Sequence, residues 1–368
     1  MVPTSAIDCR LPIEVMKPFL SSEDIERKTL LILRILSESR EPMGARLIAR
    51  RMQDHGISMS ERTVRYHLRL MDEKGRTVLI GNRDGRIITP LGSEELENAR
   101  VHDKIAFAKS RIEMLAFRTS FDPVTKKGVL PVNVSVCTEK DFPDFITAMR
   151  PAFEKGLYVS DLIGVAGEGD VLGTFRVPEG KMGLATVCSV AVNGVLLKSG
   201  IPIDSKFGGI LQVRNGRPLR FSELIYYSGS SLNPSEAFVR ARMTSVRDVI
   251  ERGEGKMLAN FRELPLVCRE PAEEVLSKLG AAGIGGIMTM GEVREPVCQI
   301  PVDMNKIGMI LIDGLNPIAC AQEMGFEAVS YAMSDIMAFE NLQSFESIYN
   351  RYCSIRVNRK IKGINKKK

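Results

Sequence analysis

The chain has 368 residues but only three histidines, His55, His67 and His102. All three precede residue 103. The larger, C-terminal part therefore lacks an imidazole for acid–base work, nucleophile activation or metal binding. Seven cysteines (Cys9, Cys137, Cys188, Cys268, Cys298, Cys320 and Cys353) never form a CxxC pair. That spacing argues against a zinc site. Scattered singly among apolar residues, they read as reduced thiols of a cytoplasmic protein. No GxxxxGK[ST] motif occurs, and "GEGDVLG" (167–173) has the wrong spacing for GxGxxG. It runs into "TFRVP" rather than a helix, so no cradle of N–H groups for phosphate is expected. The first twenty residues lack a basic start and an apolar run, and no signal peptide is read. No stretch approaches the ~18 apolar residues of a membrane span. Neither a catalytic set nor a cofactor or metal motif is legible, and no enzyme is expected.

What is present begins at residue 23. Glu23 to Ser37 carries Ile25, Leu30, Leu33 and Leu36 at helical spacing. "EPMG" interrupts it, and Ala45 to Asp54 reads as a short second helix closed by Gly56. Ser60 is a good N-cap for a third helix, and Glu61 suits the positive end of its dipole. From Val64, stepping about 100° per residue, Leu68 and Met71 fall within roughly 40°. Arg62, Arg65, Tyr66 and Arg69 fall on the opposite side. His67 lies near the apolar stripe and reads as a packing residue. "TVLIGNRDGRIITP" (77–90) has two β-rich runs around Asp84-Gly85, a hairpin signal, with Arg83 and Arg86 at its tip.

Three helices and a basic-tipped hairpin make residues 23–92 a winged helix-turn-helix. Residues 24–92 hold 14 Lys/Arg against 9 Asp/Glu, which accounts for most of the chain's net charge of +6. Charged helix faces are often merely solvated. Here element order, wing and local charge together point to double-stranded DNA. Arg62, Arg65, Tyr66 and Arg69 are the contact candidates, with Ser60 and Thr63 on the backbone or a base edge. Arg83 and Arg86 are expected to neutralise phosphates. RNA binding is an alternative, although the segment offers only Tyr66 as an aromatic platform.

Residues 1–22 read as a flexible arm. "SEELENARVHDKIAFAKSRIEML" reads as a connecting helix over 93–117, capped by Ser93, with a stripe of Leu96, Val101, Ile105, Ala108, Ile112 and Leu115. That stripe suits a homodimer seam or packing on its own chain. Residues 356–368, "RVNRKIKGINKKK", form a basic tail.

Residues 118–355 repeat themselves weakly. "VLPVNVSVCTEKDFPDFITAM" (129–149) and "MLANFRELPLVCREPAEEVLSKL" (257–279) share an order of strand, cysteine and helix. Residues 162–187 parallel 286–311, with Lys181-Met-Gly matching Lys306-Ile-Gly. The expected fold is α+β, a winged helix followed by a duplicated α/β domain with a mixed sheet. Anion-friendly helix starts are read at Asn233-Pro234 and Asn316-Pro317. Lys181, Lys306 and Arg262 are cations that would complete a dicarboxylate site.

With these pieces in view, the chain resembles the NrpR family of archaeal nitrogen regulators. The resemblance rests on "SERTVRYHLRLMDEKG", "GGILQVRNGRPLRFSELIYYSGSSLNPSEAFVRARMTSV", "GEGKMLANFRELP" and "IDGLNPIACAQEMGFEAV", and extends to about residue 350. It implies a transcriptional repressor of nitrogen fixation and ammonium assimilation genes. It implies a dimer on palindromic operators, released by 2-oxoglutarate as effector. Some members carry two regulatory domains, and this chain has room for one. It therefore looks like the shorter type, which works with a separate co-repressor carrying a related regulatory domain. Three rivals stand beside this reading: an RNA-binding module, a small-molecule enzyme with an attached winged helix, and a thiol-based redox repressor.

Overall fold

The computed structural model describes residues 22–39, 41–81, 85–97, 107–293 and 295–352. Arg83, His102, Val101, Ile105, the N-terminal arm to residue 21 and the basic tail lie outside these residues. The chain divides into two compact units, Met1–Asp103 and Lys104–Lys368.

The first unit is the expected winged helix. Helices α1 (Ser22–Ser37), α2 (Ala45–Asp54) and α3 (Glu61–Glu73) precede strands β1 (Thr77–Gly81) and β2 (Gly85–Ile88). Its core joins Ile32, Leu33 and Leu36 of α1, Ile48 and Met52 of α2, and Val64, Leu68 and Met71 of α3. Each such side chain contributes about 1.5–3 kcal/mol of burial, so the stripe fixes α3 firmly. A backbone bridge from Met43 to Arg86 closes the wing against the α1–α2 turn. Only glycine fits next to that bridge. A Cβ on Gly85 would meet Met43 backbone atoms at 2.4–2.5 Å, and its φ is +102°.

The connecting helix departs from expectation. Helix α4 spans Pro90–Glu97, and Thr89, not Ser93, serves its start by accepting from Gly92 N–H at 3.1 Å. Proline fits the first turn of a helix, which moves the start ahead of Ser93. Helix α5 (Phe107–Arg118) belongs to the second unit, where Ala108, Ile112 and Leu115 pack with Val190, Tyr227 and Met333. Ala108, Ile112 and Leu115 are thus consumed within their own chain and are unavailable as a dimer seam, while Leu96 is half-buried on α4.

The second unit is duplicated, as the sequence indicates. The first copy runs β3 (Val129–Thr138), α6 (Phe142–Glu154), β4 (Leu162–Ala166), β5 (Val171–Leu172), β6 (Phe175–Arg176), β7 (Lys181–Val187), α7 (Val190–Lys198) and β8 (Asp204–Arg214). Strand β9 (Arg217–Tyr226) and helices α8 (Pro234–Arg240) and α9 (Val246–Arg252) connect it to the second. The second copy runs β10 (Gly255–Pro265), α10 (Arg269–Ala281), β11 (Ile287–Met290), β12 (Lys306–Ile312), α11 (Asn316–Glu323) and β13 (Val329–Ala338), followed by β14 (Gln343–Ser344). "GEGDVLG" feeds the small β5–β6 hairpin, so it is no phosphate loop.

The two copies exchange strands. One sheet has the order β11-β12-β10-β8-β9 and the other β13-β3-β7-β4-β14. The last long strand of each copy therefore pairs with the first strand of the other. All named pairs are antiparallel. The α+β class stands, but in place of the expected mixed sheet this unit holds two five-stranded antiparallel sheets and the small β5–β6 hairpin among the described residues. Within each copy the middle strand runs opposite to both neighbours, β7 between β3 and β4 and β12 between β10 and β11, and the exchanged strands β8 and β13 also join antiparallel.

Two apolar cores draw on both sheets, one around α6, α9 and α11 and one around α7 and α10. A buried polar seam joins the copies. Asn133 and Asn260 occupy matching registers on β3 and β10. Asn133 Oδ1 accepts from Met333 N–H at 2.9 Å. Asn260 donates to Asp313 Oδ2 at 3.0 Å and Ser189 Oγ at 3.3 Å, and accepts from the Tyr227 hydroxyl. Such seams tolerate few substitutions, since an orphaned buried polar group costs about 1–3 kcal/mol.

Candidate functional site

Two surfaces emerge from the sequence candidates. On α3, Val64, His67, Leu68 and Met71 face inward, while Arg62, Thr63, Arg65, Tyr66 and Arg69 face solvent. Burial, with nearby Lys28 adding to it, lowers the His67 pKa, as a packing role requires. Ser60 Oγ caps the helix by accepting from Thr63 N–H at 3.1 Å and shares a 2.7 Å hydrogen bond with Thr63 Oγ1. Arg65 pairs with Glu61, and Arg69 with Glu73 at 3.0 Å, one turn along the same face. Both arginines stay open, with side chains 68% and 78% accessible. Exposed pairs of this kind are weak and readily exchanged for a stronger anion.

Arg86 behaves differently. Its Nε donates to Asp72 Oδ2 at 2.7 Å, and Thr77 Oγ1 donates to Asp72 Oδ1 at 2.6 Å. The side chain is mostly buried and ties the wing to α3. It is a structural strut here, not the free phosphate contact expected from the sequence.

Of the five anion candidates, four are occupied internally. Asn233 Oδ1 accepts from Ser235 and Glu236 N–H, so α8 caps itself. Asn316 is fully buried, bonded through both side-chain atoms to Leu258 of β10. The first turn of α11 is filled by Asp313, which accepts from Leu315 N–H at 2.9 Å. Arg262 is 1% exposed. It donates to Ser189 O and Oγ at 2.8 Å each and to Asn193 Oδ1. Lys306 is ion-paired with Glu263 at 3.1 Å, Asp303 at 3.2 Å and Asp204 at 3.7 Å. Helix starts and cations attract the chain's own oxygens as readily as a ligand's, and here the fold supplies them.

Lys181 alone lines an open cavity, of about 320 Å³. Arg240 and Arg242, at and just beyond the end of α8, line the same cavity, with Thr138, Gln322 and Ser330. Val136, Cys137, Val239, Phe326 and Val329 supply apolar wall. Arg242 has φ +52°, a sparsely populated conformation for a non-glycine residue. Its ion pair with Glu327 is long, at 3.8 Å, and both side chains are solvent-exposed. Glu236 is turned to accept from Ala332 N–H at 2.7 Å. Burial raises its pKa, against the lowering effects of that hydrogen bond and of Arg240. Three cations around one cavity, Lys181, Arg240 and Arg242, suit a small polycarboxylate. The size fits too, since small-molecule sites start at about 300 Å³.

Three of the described thiols, Cys137, Cys188 and Cys320, are buried and poor nucleophiles. Burial pushes Cys137 and Cys188 up to about 12 and Cys320 to about 11. Among the described residues no cluster of three or more His, Cys, Asp or Glu could hold a metal. No described helix is long and apolar enough to cross a membrane.

Comparisons with known proteins bear on both units. Residues 105–344 match the model described as NrpR regulatory domains NRD1 and 2. The chain is 39% identical to the global nitrogen regulator NrpRI of Methanosarcina mazei, over 87% of this chain and 98% of that protein. The chain belongs to the NrpR family of nitrogen regulators.

Residues 30–96 of this NrpR-family chain match a model of the ribonuclease R winged-helix domain. It is 31% identical to NrpR of Methanocaldococcus jannaschii over 91% of this chain and 58% of that protein. For NrpR of Methanococcus maripaludis the identity is also 31%, over 90% and 57%. It thus spans little more than half the length of these two relatives. A solved nitrogen repressor-like protein from Methanococcus jannaschii superposes with a TM-score of 0.55 and 28% identity, covering 65% of this chain and 98% of that one.

Sequence reasoning missed Arg240, Arg242 and Glu236. They lie in the linking segment between the copies, within the stretch 208–246, where Asn233 and its proline carried the only recognisable local signal. The crossing of β13 beside β3 brings them to Lys181, and no local spacing encodes that.

Proposed function

We propose that this NrpR-family chain is a DNA-binding repressor of nitrogen fixation and assimilation genes, released from its operator by 2-oxoglutarate. The observation that carries the DNA half is the solvent-facing Arg62, Arg65, Tyr66 and Arg69 on a helix whose other side is anchored in its own core. The chain acts as a cytoplasmic homodimer on a palindromic site, since a two-fold reader matches a two-fold sequence. A co-repressor with a related regulatory domain acts alongside it.

The effector site is the Lys181 cavity. One carboxylate of 2-oxoglutarate pairs with Lys181 and the other with Arg240 and Arg242, with Glu236 lining the same cavity. Release requires the ligand to prefer the state that does not hold DNA, a coupling of typically ~1–3 kcal/mol. The test is titration of the full chain onto a palindromic duplex from a nitrogen-assimilation promoter, with 2-oxoglutarate, succinate or an oxidant added. Specific binding lost with 2-oxoglutarate in the wild type and retained in Lys181→Ala supports the reading. Binding indifferent to 2-oxoglutarate refutes the effector half.

The ribonuclease R winged-helix match favours a second reading, in which the basic helix holds RNA. A single-stranded RNA of the same length in the same titration separates the two. Tighter binding to that strand than to the duplex would replace the DNA assignment.

A further inference from the structure

The two copies place a lysine at the same point of the same sheet. Lys181 lies opposite Thr138 on β7 and β3, and Lys306 lies opposite Pro265 on β12 and β10. Gly183 and Gly308 match two residues on, which brings Val136 of the first copy into register with Glu263 of the second. On the exchanged strand, Val136 pairs with Val329, and Glu263 pairs with Asp204. Thus two valines wall the open cavity at positions where the second copy carries two carboxylates. Glu263 is 2% exposed and touches both Lys306 and Lys206 at 3.1 Å. Lys206 also pairs with Asp303 at 2.7 Å and Asp204 at 3.2 Å. Lys181 has no ion pair among the described residues.

We propose that the second copy holds a self-occupied version of the Lys181 pocket, in which Glu263 and Asp204 stand where a dicarboxylate's oxygens stand in the first. Each chain therefore takes one equivalent of a small dicarboxylate despite its two-fold internal repeat. The inference rests on the Lys181 cavity being an anion site. A carboxylate built into the chain is present at very high effective concentration, so no free anion at ordinary levels displaces it.

The test uses the full chain with succinate and 2-oxoglutarate as probes, read by calorimetric stoichiometry and melting temperature. The wild type is expected to bind one equivalent, lost in Lys181→Ala and unaffected by Lys306→Ala. Asp204→Val/Glu263→Val installs the first copy's residues. It is expected to melt lower in low salt, recover with succinate, and bind a second equivalent that Lys306→Ala abolishes. Glu263→Gln, the milder variant, is expected to show the same succinate-dependent recovery on a smaller scale. Two equivalents in the wild type, or no succinate-dependent recovery in either variant, overturns the proposal. If the wild type binds nothing while the variants recover through Lys306, the Lys181 pocket assignment fails and the self-occupied second copy stands.

Discussion

Arg69→Ala separates a reading surface from a merely solvated one. The side chain is 78% accessible, and its ion pair with Glu73 is an exposed i,i+4 contact. Such pairs stabilise a helix by about 0.3–0.5 kcal/mol. For a domain of this size that is a melting shift of roughly 2–4 °C at most. If Arg69 reads a base, its loss costs roughly 1–3 kcal/mol of binding, or about 5- to 150-fold in affinity. If it holds a phosphate, the loss is uniform across sequences and the salt slope falls by about one. Fluorescence anisotropy of a labelled palindromic duplex over a salt series, with melts on the same samples, measures both. Arg65→Ala is expected to behave alike. Arg86→Ala provides the opposite signature. Its pair with Asp72 is mostly buried and shared with Thr77, so folding loses about 1–3 kcal/mol. DNA affinity then falls only with the folded fraction. Unchanged affinity at matched salt for both Arg65→Ala and Arg69→Ala, with melts intact, would refute the recognition-helix assignment.

Three other outcomes are expected. Glu236→Gln should strengthen dicarboxylate binding and raise the melting temperature, because it removes a part-buried carboxyl whose ionised form burial disfavours and which would repel an anion in the same cavity; calorimetry showing weaker binding would count against an anion site at this cavity. Arg262→Ala should cost roughly 3–5 kcal/mol in denaturant unfolding, as a buried cation network loses its centre, and Arg262→Lys should not rescue it, lacking the fork that reaches Ser189 and Asn193. Hydrogen bonds from Lys206 and then Lys306 hold the Asp303 carboxyl down at about 2. Its contribution to stability should therefore be complete above its ordinary value of 3.8 and vanish as pH falls toward about 2. An Asp303 carboxyl resonance titrating near 4 in the folded chain would contradict the lysine–carboxylate cluster.

The first unit was largely legible because its signals are local. Helix α2 begins and ends where its apolar spacing and Gly56 place it, and Ser60 caps α3 as its side chain allows. The stripe of Val64, Leu68 and Met71 fixes which arginines face out, because one turn of helix dictates the other side. The exception was Arg86. Nothing within the hairpin announces that Asp72, fourteen residues earlier, waits beneath it.

The second unit was legible only as a duplication. Repetition is written along the chain, but which strand pairs with which is not. Exchange of β8 and β13 between the copies decided which strands are neighbours, buried Asn133 and Asn260 at the seam, and brought Arg240 and Arg242 to Lys181. It also gave Lys306 the Asp204 carboxylate from about a hundred residues earlier, beside Glu263 of its own copy and Asp303 three residues before it. Residue order determined the helix faces, the caps, the scarcity of histidine and the existence of two copies, because each depends on neighbours within a turn or a strand. Which polar groups were left over for a ligand was settled by the tertiary structure alone. A cation is spent or available according to what folds against it, and that partner comes from far along the chain.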